Sequence, residues 1–199
     1  MLKRLFFLIL LALAGPAMAQ PAHVAPTAPV RVTLQTGAGV IVLELDPAHA
    51  PITTANFLHY VDARRLDGTE FYRAMHMGAG GLVQGGVRDP RRLFPPVTHE
   101  PTSQTGLSHI DGAISMARLA PGSAQMDFFI MVGPQPGFDA GPNAGGDLLG
   151  YAAFGHVVQG MDVVRQILAA PTSPTEGEGV MRGQMLSPRI RILTARRAP

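Results

Sequence analysis

Punctuation constrains this chain more than any other feature. From residue 30 onward the apolar runs are short, and glycine, proline, asparagine or aspartate cuts each one. Glycine and proline together supply 23 and 18 of the 199 residues. A proline inside a helix removes a hydrogen bond and a glycine adds entropic cost, so long helices are disfavoured. Many short strands joined by turns, with room for only two helices, point to one all-β domain, closed or sandwich-like, over residues 30–195. The length suffices for a sizeable core, and no internal repeat or linker interrupts it.

In chain order, Val30–Thr36 alternates apolar and polar residues, 37–39 makes a turn, and Val40–Leu45 returns as the second arm of a hairpin. Pro51 suits the first turn of a helix, and Phe57, Tyr60 and Val61 form one apolar face over Ile52–Arg64. Thr69–Gly86 follows: a short aromatic strand carrying Arg73, a glycine-rich excursion, and an apolar strand ending on Gln84-Gly85-Gly86. Residues 89–106 form a long irregular segment, the kind that is usually functional or mobile. Ala113–Ala117 and Phe128–Val132 are strands, and 133–150 is a surface loop. A strand over Tyr151–Val158, a helix over Gly160–Ala169 with Val164, Ile167 and Leu168 buried, and a strand over Pro188–Thr194 complete the domain. Residues 196–199, with Arg196 and Arg197, read as a solvated tail.

The amino terminus reads as an address. Met1–Arg4 is basic, Leu5–Ala14 is apolar, and Ala17-Met18-Ala19 is a small-x-small cleavage site, so residues 1–19 are expected to be a secretory signal peptide. Gln20–Pro29, rich in proline and alanine, is expected to be a flexible leader. The apolar run is too short to span a bilayer and no later segment is long enough, so no stable membrane association is expected after cleavage. The expected location is the periplasm, with release from the cell as the alternative, and the expected state is a monomer. The chain has no cysteine, hence no disulfide and no lipid attachment at the cleavage site.

Charge and side-chain chemistry narrow the function classes. Removing Lys3 and Arg4 from the sixteen basic residues leaves them balanced against fourteen acidic ones. A nucleic-acid partner needs a clustered basic surplus, so none is expected. The seven histidines are scattered, without the paired spacing of metal ligands, and no metal or cofactor is expected. Residues 141–146 lack the lysine of a phosphate loop, and no serine sits in a nucleophile elbow. What remains is Arg73 among aromatic residues. It either snorkels from a strand to water or is held beside an apolar surface. The stretches Gly112–Arg118 and Asp127–Val132 offer such a surface, and Met75, Met77 and Met126 flank it as adaptable thioethers.

These pieces, together with Ala50-Pro51, Asn56-Phe57, Phe138-Asp139, Phe154-Gly155 and Gly160–Val163, resemble the cyclophilin family of peptidyl-prolyl isomerases in order and spacing. The resemblance covers residues 30–195. It implies a closed eight-stranded antiparallel β-barrel capped by two α-helices, acting on proline-containing segments of unfolded or exported proteins. By position it makes Arg73 the catalytic arginine, Gln84 its neutral neighbour and Phe129 the floor of a proline pocket. Leu82 would line that pocket, Phe138 and Tyr151 would close its wall, and Ala117 and Arg118 would edge the substrate backbone.

Three departures stand out. Gly81 occupies a position where the family has phenylalanine, the excursion between Arg73 and Gln84 is longer, and Asp127 replaces a glutamine. Met75 or Met77 would then rebuild one wall, and Asp127 would pair with Arg73 and orient it. The chain also lacks tryptophan, which weighs against binding of the cyclosporin class. The alternative function is a cyclophilin-like peptide-binding chaperone or scaffold with little catalysis, and a third is a plain barrel with an envelope structural role.

Overall fold

The first hairpin forms as its alternation requires. In the computed structural model, which describes residues 27–198, β1 (Val30–Thr36) and β2 (Gly39–Leu45) pair antiparallel, with Val30 opposite Leu45 and Thr36 opposite Gly39. Val32, Leu34, Ile41 and Leu43 face inward and are fully buried. The expected signal peptide and residues 20–26 of the expected leader lie outside the described residues.

Six more strands extend this pair into a barrel. They are β3 (Thr69–Met77), β4 (Gly80–Gly86), β5 (Ala113–Met116), β6 (Phe128–Val132), β7 (Ala152–Gln159) and β9 (Met185–Arg197). The order around the sheet is β1-β2-β7-β5-β6-β4-β3-β9, and pairing of β9 with β1 closes it. The two-residue β8 (Thr172–Ser173) adds to the outside of β9. Closure leaves no long unpaired edge among the eight main strands.

Helix α1 (Pro51–Asp62) carries Phe57 into the core, edge-on to Phe128 at 5.6 Å and tilted against Phe154 at 5.4 Å. No local side chain caps the start of α1. Glu100 does so from a distance: its carboxylate accepts from the Ile52 and Thr53 amides at 3.0 and 2.7 Å and from the Thr53 hydroxyl at 2.6 Å. An anion there also meets the positive end of the helix dipole. Helix α3 (Met161–Leu168) buries Val164, Ile167 and Leu168, the stripe its periodicity predicts.

Three differences from the sequence reading have physical causes. The irregular segment after Gly86 contains a third helix, α2 (Thr102–Thr105), ended by Gly106 at φ 72°. At one turn it is too short to show a period. The glycine-rich excursion after Arg73 is mostly strand, because β3 and β4 continue until Met77 faces Gly80. Finally, residues 196–197 are not a tail. Arg196 faces Thr33 and Arg197 faces Val32 in the closing pair. Their guanidiniums each grip a carboxylate with two bonds, Arg196 to Asp67 (2.7 and 2.8 Å) and Arg197 to Asp62 (2.8 and 2.7 Å). The partners lie far away in sequence, so the arginine pair reads locally as solvated.

Candidate active site

The site follows from sheet register. Arg73 faces Gln84 across β3 and β4, Gln84 faces Phe129 across β4 and β6, and Phe129 faces Ser115 across β6 and β5. One step along the strands, Met75, Leu82 and Met131 make a second row. Successive strand residues alternate faces, so both rows project outward. The row between them, Ala74, Val83, Ile130 and Ile114, points into the core. Arg73 and Phe129 are thus two strand spacings apart, about 10 Å between backbones.

The apolar half has a floor of Leu82, Ala113, Phe129 and Met131, with Met75, Met77, Ala117, Phe138 and Tyr151 packed around it. Phe129 lies edge-on to Phe138 at 5.6 Å and to Tyr151 at 5.3 Å, so three rings make one corner. A single 3-10 turn, Pro136–Phe138, delivers Phe138, and the Tyr151 amide donates to the Phe138 carbonyl at 2.9 Å. Met75 and Met77 both pack against the cluster. At Gly81 itself an added Cβ would meet the Met75 carbonyl oxygen and press on Leu168. The longer hairpin thus leaves no space for a side chain where the family has phenylalanine.

His109, 1% exposed, supports the floor from behind. Its ring lies nearly parallel to Phe129 at 6.0 Å and contacts Asp139 through Nδ1 at 2.6 Å and Ser115 through Nε2 at 3.0 Å. The same Asp139 oxygen accepts the His109 amide at 2.9 Å, which ties down the loop that carries Phe138. Burial lowers the His109 pKa, against an opposing pull from Asp139. The scattered spacing of the histidines gives no sign that this one lies behind Phe129.

The polar half is built on a bulge. The register slips between Phe71 and Arg73 against both β4 and β9, so Tyr72 and Arg73 follow each other while Phe71 and Ala74 stay in the core. Arg73 donates from Nε to Gln184 Oε1 at 2.8 Å, from Nη1 to Gln84 Oε1 at 2.9 Å, and from Nη2 to Met75 Sδ at 3.0 Å. All three acceptors are neutral. Partial burial lowers the Arg73 pKa, yet guanidinium remains charged in any aqueous protein. Its charge is oriented without being cancelled. Gln184 was not foreseen: it sits 111 residues away, in no recognisable pattern.

One expected role is corrected. Asp127 does not pair with Arg73; its Oδ2 accepts the Tyr72 hydroxyl at 2.8 Å. The Arg118 guanidinium is anchored within the chain. It makes two bonds to Asp147 (both 2.7 Å) and two to the Gly150 carbonyl (2.9 and 2.6 Å), fastening the loop before Tyr151. Ala117 sits at the cluster edge with its amide donating to the Asp127 carbonyl at 2.8 Å. Two hollows, of about 360 and 340 Å³, lie elsewhere, lined by residues such as Pro29, Glu44 and Ile110 and by none of the site residues above. Among the described residues no cluster of three or more His, Asp or Glu side chains could hold a metal.

Comparison with known proteins bears on the family and the fold. Residues 31–196 match the family model of cyclophilin type peptidyl-prolyl cis-trans isomerases. The chain is 38% identical over 157 residues to peptidyl-prolyl cis-trans isomerase A of Dickeya dadantii, covering 76% of this chain and 77% of that one. It is 36% identical over 149 residues to peptidyl-prolyl cis-trans isomerase B of Escherichia coli, covering 71% and 85%. A crystal structure of a Cryptosporidium parvum cyclophilin type isomerase superposes with a TM-score of 0.68 at 19% identity, over 86% of this chain and 98% of that one. A barrel of this topology, an arginine in register with a phenylalanine floor and matches of this extent place the chain in the cyclophilin-type peptidyl-prolyl cis-trans isomerase family.

Proposed function

We propose that this isomerase speeds rotation about X-Pro bonds in exported, unfolded chains, with Arg73 donating to the imide nitrogen while the Phe129 corner holds the proline ring. The observation that carries the reading is a charged guanidinium held only by neutral acceptors, in the same cross-strand row as a buried phenylalanine.

The bond before proline is a tertiary amide with a rotational barrier of roughly 20 kcal/mol, and uncatalysed exchange takes tens of seconds. Acceleration by about 10⁵ requires lowering that barrier by ~7 kcal/mol. As the amide twists, its nitrogen regains a lone pair and becomes an acceptor, so a donor fixed beside it binds the twisted form better than the planar one. Guanidinium has five N–H groups. Arg73 uses one at Nε, one at Nη1 and one at Nη2, so each terminal nitrogen keeps one for substrate. A preorganised donor contributes about 3 kcal/mol. Apolar holding by Leu82, Phe129, Phe138 and Tyr151, together with exclusion of water from the amide, supplies the remainder. Export rests on the amino-terminal pattern of residues 1–19.

The test is a protease-coupled assay on a short X-Pro peptide, run beside a binding titration. Arg73→Ala should lower kcat/KM by a factor of 10² or more and change peptide affinity little. Equal loss of binding and turnover would instead favour a peptide-binding module.

A further inference from the structure

The bulge places more than the arginine. Gln84 has a carbonyl oxygen and an amide group at its tip, and only the oxygen can accept from Arg73. Turned over, it would present N–H to guanidinium and the pair would repel. A force must therefore choose the orientation. Gln84 is 8% exposed, so bulk water has little access to do it.

Tyr72 is in contact with the other end of that amide. Gln84 Nε2 donates to the Tyr72 hydroxyl at 2.6 Å, and that hydroxyl donates to Asp127 Oδ2 at 2.8 Å. A carboxylate can only accept. The phenol must give Asp127 its proton, its oxygen must then accept from Gln84 Nε2, and Gln84 Oε1 is left to face Arg73. We infer that Asp127 and Tyr72 are positioning residues of this isomerase, forming a one-way hydrogen-bond relay that sets the Gln84 amide and so aims the Arg73 guanidinium.

The surrounding structure is shaped for it. The slip between Phe71 and Arg73 sets Tyr72 beside Gln84. Gly86, at φ 148°, leaves room for Asp127, whose Cα and Oδ1 would lie 2.7 and 2.6 Å from a Cβ there. The charged and titratable groups facing Asp127 are Tyr72 from β3 and Arg88 just after β4, with the Arg88 guanidinium 4.7 Å from the Tyr72 ring centre. Burial of the carboxyl raises the Asp127 pKa, and Tyr72 and Arg88 counter only part of this. A proton on Oδ2 would reverse the relay: the acid would donate to Tyr72, Tyr72 to Gln84, and the amide would turn its N–H toward Arg73.

The inference rests on the arginine mechanism proposed above, and Arg73→Ala tests that layer separately. If Arg73→Ala keeps turnover, the mechanism itself fails. Given loss in Arg73→Ala, Tyr72→Phe is expected to lower kcat/KM roughly tenfold or more, as misplacement of a reacting group does, with peptide affinity held within about threefold. The Arg73 Nε–H signal in a nitrogen-edited NMR spectrum should shift and broaden. The wild-type kcat/KM should show an acid limb with a midpoint above the ordinary carboxylate range, and Asp127→Asn should abolish that limb. This readout stands even if Tyr72→Phe fails to fold. Tyr72→Phe at wild-type rates with an unchanged Arg73 signal, or an acid limb that survives in Asp127→Asn, would overturn the relay.

Discussion

At the scale of single residues, the unusual property of Arg73 is the company it keeps. A carboxylate partner would neutralise the charge of a half-buried arginine locally. Here Gln84, Gln184 and Met75 hold the group in place without neutralising it. Gln184→Leu removes the Nε acceptor while keeping the volume. It should lower kcat/KM by about three- to tenfold with the fold intact, as checked by turnover and thermal melting. His109 makes a second prediction. Its pKa is lowered by burial, so the unfolded chain takes up a proton at higher pH than the folded one. The contribution to stability is fully present above the ordinary histidine value of 6.5 and is lost as pH falls below it toward and through the folded value. Melting curves from pH 7 to 5 should therefore show a fall that is smaller in His109→Gln.

At the scale of elements, the same strands serve the core with one face and the site with the other. The β3–β4 hairpin puts Ala74 and Val83 inside and Arg73, Met75, Leu82 and Gln84 outside. What alternates locally was legible in the sequence: the first hairpin, the Val164, Ile167 and Leu168 stripe, and the aromatic strand before Arg73. What depends on a distant partner was not. Glu100 looks like an ordinary acidic residue in an irregular segment, yet it caps α1 across 47 or more positions and is 2% exposed. Glu100→Ala leaves the buried Thr53 amide and hydroxyl without a partner and should cost about 2–3 kcal/mol in denaturant unfolding. Asp127 stands out in the sequence, yet its partner is Tyr72 and not Arg73, because a strand bulge cannot be read from spacing and it is the bulge that sets Tyr72 beside Gln84 and Asp127.

At the scale of the whole molecule, the account depends on closure. The barrel is complete only when β9 pairs with β1, and β9 ends at the arginine pair that reads as a tail. The Arg197–Asp62 pair is exposed and such a pair contributes about 0.5 kcal/mol, so Arg197→Ala should barely move the melting point. Deleting residues 194–199 removes the β1 partners of Val32–Gln35 and should abolish cooperative unfolding, as read by calorimetry. The family and its fold were visible in order and spacing; the support behind the site was not, since Gln184, Tyr72 and His109 acquire roles only once the sheet is closed. The most direct measurement is the rate at which a bound X-Pro peptide interconverts on the saturated protein, followed by NMR exchange in wild type and Arg73→Ala. The arginine account predicts that bound-state exchange slows by 10² or more while the dissociation constant changes by less than about threefold. Exchange that continues at the wild-type rate without the guanidinium would contradict it.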